Sequence, residues 1–202
     1  RSDESIVVYF NNVIFNNIDF IPFVEISLEE NISYINSNNS EKYIAFTYDD
    51  GPSDYTLELL DVLEKHNSSA NFFVVGNRIK GKEDIISKIY NSNSEISSHG
   101  YTHSNFKTMT DEEISNELNS TNIIFNSITG DKIKYVRPPY GEYNDTLTTY
   151  GYNIILWNID SKDWLIKDSD KIYNNVIKNA CDGCIVLMHD SYDKTLEATK
   201  KS

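Results

Sequence analysis

From residue 42 onward, short apolar runs alternate with stretches in which apolar residues recur at helical spacing. The runs predict strands at 43–48, 70–75, 95–98, 133–136, 153–157 and 184–188. The intervening stretches predict helices near 55–66, 82–91, 111–127, 144–150 and 170–179. The helix near 111–127 has the clearest start, because Thr110 and Glu113 have capping-box spacing ahead of an apolar stripe. This alternation indicates an α/β domain with mainly parallel strands.

The first 40 residues have a different pattern, rich in Asn and Ser. Apolar residues at 6–10 and 13–15 flank Asn11-Asn12, which predicts a β-hairpin. We therefore divide the 202 residues into an N-terminal extension, 1–40, and a main domain, 41–202. With 39% hydrophobic residues, the chain has enough apolar material for an ordinary packed core.

Polar side chains that can carry chemistry occur at the carboxyl ends of the predicted strands, where α/β sheets and barrels place their sites. They are Asp49-Asp50, His99, Arg137, Asp160 and His189. Alone, an Asp pair before Gly51-Pro52 is typical of a turn. The polar residues at the ends of the other predicted strands favour a catalytic site for this pair instead.

Two histidines, His99 and His103, are four residues apart, a spacing that can bring both imidazoles within reach of one metal ion. A carboxylate from the Asp pair would complete the site and leave coordination positions open, so that the ion acts as a Lewis acid and water activator. Zinc is the default, and Fe²⁺, Mn²⁺ and Co²⁺ accept the same donors. Two surface histidines on a loop, or a non-haem iron oxygenase, are the alternatives.

The remaining polar residues suit acid–base chemistry. One of Asp49 and Asp50 could bind the metal while the other acts as general base toward water. His189 could be the general acid, because histidine titrates near neutral pH. Arg137 begins a proline-stiffened turn and could hold the base. Trp164 could pack in the core or form a platform for a sugar or an acyl methyl group.

The overall charge limits the possible partners, whereas the two cysteines leave the compartment open. A formal net charge of -13 argues against a nucleic-acid partner. No apolar run is long enough for a membrane span, and the start lacks the apolar stretch of a signal peptide. Cys181 and Cys184 could be a redox pair, half a zinc site or a small disulfide loop.

Read in order, five segments between residues 42 and 192 resemble the signature motifs of the polysaccharide deacetylase family, the NodB-homology carbohydrate esterases of family 4. They are Thr47-Tyr-Asp-Asp-Gly-Pro52, His99-Gly-Tyr-Thr-His103, Arg137-Pro-Pro-Tyr140, Asp160-Ser-Lys-Asp-Trp164 and Leu187-Met-His-Asp190. The resemblance implies a distorted (β/α) barrel that removes acetyl groups from N-acetylated sugars with the help of one divalent metal ion.

The resemblance also implies a division of roles around the metal. Asp49 matches the catalytic base, and Arg137 matches the residue that positions this base. Asp50, His99 and His103 match the metal ligands.

A second group of residues matches the acid and the substrate contacts. His189 matches the general acid, and Asp160 matches the acid that tunes it. The backbone N–H of Tyr140 matches an oxyanion donor, and Trp164 with Leu187 matches the lining of the acetyl-methyl pocket.

The sequence departs from the family pattern at two points. Tyr48 stands where Phe is usual, a change that should leave the acids in place. The family continues through another helix and a strand, whereas thirteen residues follow His189. We expect either a C-terminal shortening or a different closure of the barrel.

The expected substrate is the N-acetylglucosamine of peptidoglycan. Chitin oligomers, N-acetylmuramic acid and O-acetyl xylan are alternatives within the same chemistry, and a non-catalytic carbohydrate-binding domain is the alternative outside it. We further expect a monomer that acts outside the cell or in the cell envelope, with a signal or anchor segment missing from this sequence.

Overall fold

The structure, a computed structural model, describes residues 43–202 and the backbone of two short strands near the N-terminus. These strands, β1 (Tyr9–Phe10) and β2 (Val13–Ile14), pair antiparallel, with Tyr9 opposite Ile14 and Phe10 opposite Val13. They belong to the two arms of the expected hairpin. The rest of the proposed extension lies outside the described residues.

A parallel sheet of seven strands carries the main domain. The strands are β3 (Ile44–Gly51), β4 (Ala70–Val74), β5 (Glu95–Ser98), β6 (Tyr135–Val136), β7 (Asn153–Ile154), β8 (Ile159–Asp160) and β9 (Cys184–His189). Their order across the sheet is β7-β6-β5-β4-β3-β9-β8, and every neighbouring pair is parallel. β3 lies between β4 and β9, so the carboxyl ends of the three longest strands meet.

The sheet must curl, because β7 and β8 are its two edges and only residues 155–158 connect them. Five residue steps span at most about 18 Å. Seven strands laid flat would hold their edges roughly 29 Å apart. Asn158 fixes the crossing to the far edge: its N–H donates to Ile185 O (3.2 Å), and its Oδ1 accepts from Ile185 N (2.7 Å). The predicted distorted (β/α) barrel is confirmed.

From residue 43 onward, five α-helices surround the sheet. They are α1 (Thr56–Lys65), α2 (Glu83–Tyr90), α3 (Asp111–Thr129), α4 (Ser169–Asn179) and α5 (Asp193–Thr199). The predicted capping box starts α3: Glu113 Oε2 accepts from Thr110 N (2.8 Å), and Thr110 Oγ1 accepts from Glu113 N (3.4 Å). The helix expected near 144–150 is a 3₁₀-helix, Asp145–Tyr150. Within residues 43–202, no helix is long and apolar enough to cross a membrane.

Three apolar clusters lie in the described part of the chain, and two of them pack against the strands that carry Asp49 and His189. The larger one packs the outer face of the sheet against the helices and includes Leu59, Phe72, Ile86 and Val186. A smaller cluster of Ala45, Phe73, Ile155 and Ile185 fills the barrel. Because side chains alternate along a strand, residues two positions beyond Ala45 and Phe73 continue up the barrel interior toward its carboxyl end.

The cysteine pair forms a disulfide, Cys181–Cys184, in the turn that leads into β9. This resolves the three options in favour of a small disulfide loop. The turn is also bonded to the start of β3, where Tyr43 N donates to Asp182 Oδ1 (2.9 Å) and Gly183 N donates to Tyr43 O (2.8 Å). The disulfide therefore lies at the amino end of the strands, away from the strand ends that carry His189 and Asp49.

Candidate active site

A cleft of about 470 Å³ opens at the carboxyl ends of the strands. Its lining residues are Asp49, Asp50, His99, His103, Tyr140, Trp157, Asp160, Trp164, Leu187, His189 and Tyr192. Of the residues predicted for the site, only Arg137 is not among them, and it lies directly behind Asp49. Residues from motifs spread over 140 positions therefore meet in one place.

Asp49 is buried and tied to a buried guanidinium. Arg137 Nη1 donates to Asp49 Oδ1 (2.7 Å) and to Thr47 Oγ1 (2.8 Å). Its Nε and Nη2 donate to the carbonyls of Ile155 and Leu156, each at 3.1 Å. Burial lowers the pKa of Arg137, while the charge and hydrogen bond of Asp49 act to raise it. A buried guanidinium needs a paired anion, so Arg137 and Asp49 hold each other in place. The other oxygen of Asp49, Oδ2, faces the cleft.

Asp50 is turned away from Asp49 by an irregularity in β3, whose register with β4 shifts between Asp49 and Gly51. Asp50 has a positive φ of 75°. Its Oδ1 lies 3.2 Å from His103 Nε2. One donor atom each from Asp50, His99 and His103 lies within 4.8 Å of the others. The bulge thus gives two adjacent carboxylates different partners.

The tautomer of His99 suits a metal ligand. Its Nδ1 lies 2.7 Å from Arg137 O, and because a carbonyl only accepts, Nδ1 carries the proton. The lone pair is then on Nε2, on the side of Asp49 Oδ2, which is 3.6 Å away. Burial lowers the pKa of His99, which favours the neutral form that metals bind.

Asp50 supplies the test of whether a cation fits. Its Oδ1 is buried and accepts no hydrogen bond, although His103 Nε2 lies 3.2 Å and the half-exposed Arg78 guanidinium (Nη1) 3.7 Å away. A buried carboxylate oxygen without a donor is costly unless a cation neutralises it. Two neutral imidazoles and one carboxylate are a donor set for zinc and similar divalent ions. The residues therefore fit a divalent metal ion.

Backbone strain concentrates at the same cleft. In residues 43–202, five non-glycine residues have positive φ, and three of them line the cleft: Asp50 (75°), His103 (63°) and Tyr140 (64°). Each such conformation costs about 1–3 kcal/mol unless the surroundings impose it. The fold thus holds these side chains in positions that ordinary backbone geometry would not give.

The acid beside His189 is Asp163. Its Oδ1 lies 2.8 Å from His189 Nδ1, and its Oδ2 accepts from His189 N (2.7 Å) and from Thr195 Oγ1 (2.6 Å). Asp163 is buried, and its Oδ1 also accepts from Trp164 N (2.9 Å). The carboxylate holds His189 Nδ1–H, which directs Nε2 toward the cleft.

The expectation that Asp160 tunes His189 is therefore wrong. Asp160 ends β8 and turns to its own loop, where Oδ1 accepts from Lys162 N (2.8 Å) and Oδ2 accepts from Trp164 Nε1 (3.4 Å). The turn between the two acids, with Lys162 at φ 59°, puts the second acid and not the first against His189. Asp160 orients the indole at the cleft edge.

Asp163 makes His189 a strong base for a histidine. Burial lowers the pKa of His189, but the hydrogen bond and charge of Asp163, with the charges of Asp49 and Asp50, outweigh it and raise the pKa to about 9. His189 thus carries a proton at neutral pH, as a general acid must.

Aromatic and apolar side chains form the rest of the cleft. Trp164 and Tyr140 are exposed at its rim, and Leu187 is buried at its base. Two further lining residues, Trp157 and Tyr192, lie outside the five motifs. Trp157 explains the glycine of the Pro-Pro-Tyr-Gly turn, since a Cβ on Gly141 would lie 2.9 Å from the indole. Tyr192, three residues after His189, stacks edge-on at 5.9 Å from its ring, but an aromatic in a loop gives no signal by itself.

Comparisons with known proteins agree with this geometry. The sequence profile of the family described as polysaccharide deacetylase matches residues 36–154. A peptidoglycan-N-acetylglucosamine deacetylase of Bacillus cereus is 34% identical over 153 residues, which cover 73% of this chain and 56% of that protein. The peptidoglycan-N-acetylmuramic acid deacetylase PdaC of Bacillus subtilis is 32% identical over 161 residues, or 79% of this chain and 34% of that protein.

The fold leads to the same relatives. The solved structure of peptidoglycan deacetylase PdaC from Bacillus subtilis superposes with a TM-score of 0.78 at 32% identity, covering 80% of this chain and 81% of that one. The chain thus spans just over half of the first relative and about a third of the second. With its profile match, its relatives and its barrel in agreement, the chain belongs to the polysaccharide deacetylase family.

Proposed function

We propose that this domain is a metal-dependent deacetylase that hydrolyses the N-acetyl groups of peptidoglycan. N-acetylglucosamine is the substrate that we favour. The observation that carries the proposal is the division between two adjacent carboxylates. Asp49 is fixed by Arg137, whereas Asp50 faces two histidines with an oxygen that lacks a donor. Such a pair supplies a base and a metal ligand at one strand end.

Asp49 acts as general base. Its Oδ1 is occupied by Arg137, and its Oδ2 is left to accept a proton from the attacking water. Asp50, His99 and His103 would hold a divalent ion, zinc by default, which would supply Lewis acidity toward the acetyl carbonyl and the water. Arg137 keeps Asp49 in place, because its other donors are bonded to fixed carbonyls.

His189 acts as general acid. Water oxygen adds to the acetyl carbon, Asp49 takes the proton of that water, and the C–N bond breaks as His189 Nε2 gives a proton to the departing amine. Acetate and a free amine result, without a covalent enzyme intermediate. Asp163 supports this role because it anchors the opposite nitrogen of the ring.

The acetyl group would lie against Leu187 and Trp164 at the base and rim of the cleft. Tyr140 also lines the cleft, and its backbone N–H would donate to the developing oxyanion. Asp160 would act through Trp164, whose indole it holds.

Peptidoglycan is favoured because both relatives described above are named as peptidoglycan deacetylases. N-acetylmuramic acid is the second candidate, since one of these relatives is named for it and is nearly as similar as the other. The proposed location is outside the cell or in the envelope, where peptidoglycan lies. A disulfide in a small loop also suits an oxidising compartment.

The test is acetate release from peptidoglycan, chitin oligomers and acetyl-xylan, with chelated protein before and after zinc is restored. We expect zinc-dependent release from peptidoglycan above the other two, and loss of release in Asp49→Asn. No release from any substrate would contradict the proposal and favour a carbohydrate-binding domain.

A further inference from the structure

A buried acid on α3 faces the loop that carries both candidate histidine ligands. Glu117 is only 6% exposed. Its Oε2 accepts from two successive backbone amides, Tyr101 N (2.7 Å) and Thr102 N (2.8 Å), and its Oε1 accepts from Thr102 Oγ1 (2.6 Å). Short hydrogen bonds to an ionised acceptor are the strong ones, so this carboxylate is a firm anchor for the loop.

The short 3₁₀-helix Gly76–Arg78 is a second anchor of the loop. Gly76 N donates to Gly100 O (2.9 Å), and Asn77 N donates to Tyr101 O (3.0 Å). The loop is thus hydrogen-bonded both to α3 and to this 3₁₀-helix. Both anchors act on the backbone between His99 and His103, and neither touches an imidazole.

The packing between Glu117 and the loop is tight. Gly100 has φ 77°, and a Cβ there would lie 2.9 Å from Glu117 Oε2 and 3.2 Å from the Phe106 ring. His103 follows at φ 63°, a conformation that the loop must impose. A displacement of the loop would therefore move His103 Nε2 away from Asp50 Oδ1, which is 3.2 Å from it.

We propose that Glu117 is a positioning residue for the metal site. It acts through the backbone of residues 100–102 and holds His103 in register with His99 and Asp50. The inference rests on the proposed function in one respect, since it presupposes that these three residues bind a divalent cation. Groups behind a metal's direct ligands typically change its affinity by about 10- to 100-fold when they are removed.

Three variants separate anchoring from charge. Glu117→Gln keeps an oxygen that can accept hydrogen bonds from both backbone amides. We therefore expect its metal affinity to stay within about threefold of wild type, a smaller change than the roughly 10- to 100-fold loss that follows removal of such a group. Glu117→Ala leaves both amides without their acceptor, and Glu117→Asp keeps the charge on a side chain one methylene shorter. For both we expect a 10- to 100-fold higher dissociation constant, on the order seen for such groups.

The measurement is a Co²⁺ titration of the full, chelator-treated chain, followed by visible absorption, with zinc competition for the dissociation constant. In the wild type, the Co²⁺ absorption bands should grow to a plateau. In Glu117→Ala, Co²⁺ should bind more weakly and the shape of the bands should change. Phe125→Leu is the matched control: it lies on the same helix in the apolar core, so it should lower thermal stability without changing the spectrum.

Four outcomes decide the inference. It is overturned if Glu117→Ala and Glu117→Asp bind Co²⁺ like wild type, or if Phe125→Leu weakens binding as much as they do. Should Glu117→Ala fail to fold, the contrast between Glu117→Gln and Glu117→Asp decides, and equal affinities count against the inference. If wild type itself binds no Co²⁺ or zinc, the proposed metal-dependent function fails instead.

Discussion

Asp49 and Asp50 are neighbours in the chain, yet the backbone gives them different environments. Asp49 continues the inward alternation of β3 and meets Arg137. The register shift and the positive φ of Asp50 turn the next side chain toward His103. At the scale of single residues, a local backbone irregularity thus gives two chemically identical side chains different partners.

The pairing of His189 with Asp163 gives a pH prediction. With its pKa raised to about 9, His189 stays protonated through neutral pH and loses its proton, and with it the ability to act as acid, as the pH rises through that value. Asp163→Asn removes the negative charge and should move the alkaline limb of kcat to lower pH by about 1 to 3 units, the range for one nearby opposite charge. The measurement is kcat against pH for acetate release. A bound cation lowers the pKa of His189 in both proteins alike, so the difference between them is the observable.

Asp160→Asn is the matched control, because Asp160 lies in the same motif and makes no hydrogen bond to His189. Its alkaline midpoint should coincide with that of wild type, whatever its effect on turnover. A shift in Asp160→Asn with none in Asp163→Asn would restore the original assignment.

The sequence predicts which residues meet at the cleft better than it predicts their supporting contacts. Strand-end positions are sufficient to bring Asp49, His99 and His189 together. They do not determine which of two acids in one loop turns toward a histidine, since that depends on the loop conformation. The sequence indicates the role of Glu117 only weakly. This acid shares the buried face of α3 with Ile114 and Phe125, where an unpaired carboxylate would be costly, so a partner for it could have been expected.

At the scale of elements, long and strongly patterned segments are predictable and two-residue strands are not. The runs at β3, β4 and β9 appear where the apolar pattern puts them. The run at 153–157 is instead β7 followed by a crossing to β8. Periodicity cannot show such a crossing, because it depends on hydrogen bonds between Asn158 and β9, the strand next to the far edge of the sheet.

Tyr48, the departure from the usual Phe, joins β3 to α5. Its hydroxyl lies 2.9 Å from Thr199 Oγ1, which itself donates to Thr195 O (2.9 Å). Tyr48→Phe should lower the free energy of unfolding by about 1 kcal/mol, the net value of one buried hydrogen bond. Because the hydroxyl lies on the helix side of the strand, kcat should not change. Urea unfolding and acetate release measure the two effects.

Thr199→Val tests the same contact from the other side. Its cost should not add fully to that of Tyr48→Phe, because both variants remove one shared bond. Full additivity, or a loss of kcat in Tyr48→Phe, would contradict this account of the residue.

At the scale of the whole molecule, stabilising and reactive features lie at opposite ends of the barrel. The disulfide closes the turn before β9, and His189 ends the same strand. Closing a loop of four residues is worth about 2 kcal/mol in the chain-entropy account. The Cys181→Ser, Cys184→Ala double variant should therefore lose about that much stability in urea and keep its kcat.

Reduction of the wild-type protein is the control for the cysteine variant. It should lower the urea midpoint to the same value and leave acetate release unchanged. A loss of activity that tracks reduction would mean that the two ends of the barrel are coupled.

The central claim is that adjacent carboxylates divide into base and metal ligand, and the most direct test compares their variants in one experiment. Metal content and acetate release are measured for Asp49→Asn and Asp50→Asn after chelation and zinc restoration. We predict that Asp49→Asn binds one zinc ion per chain and loses turnover by about 10²- to 10⁴-fold, the usual contribution of a general base. Asp50→Asn should lose the zinc together with the activity. Full turnover in Asp49→Asn, or full zinc content in Asp50→Asn, would contradict the account.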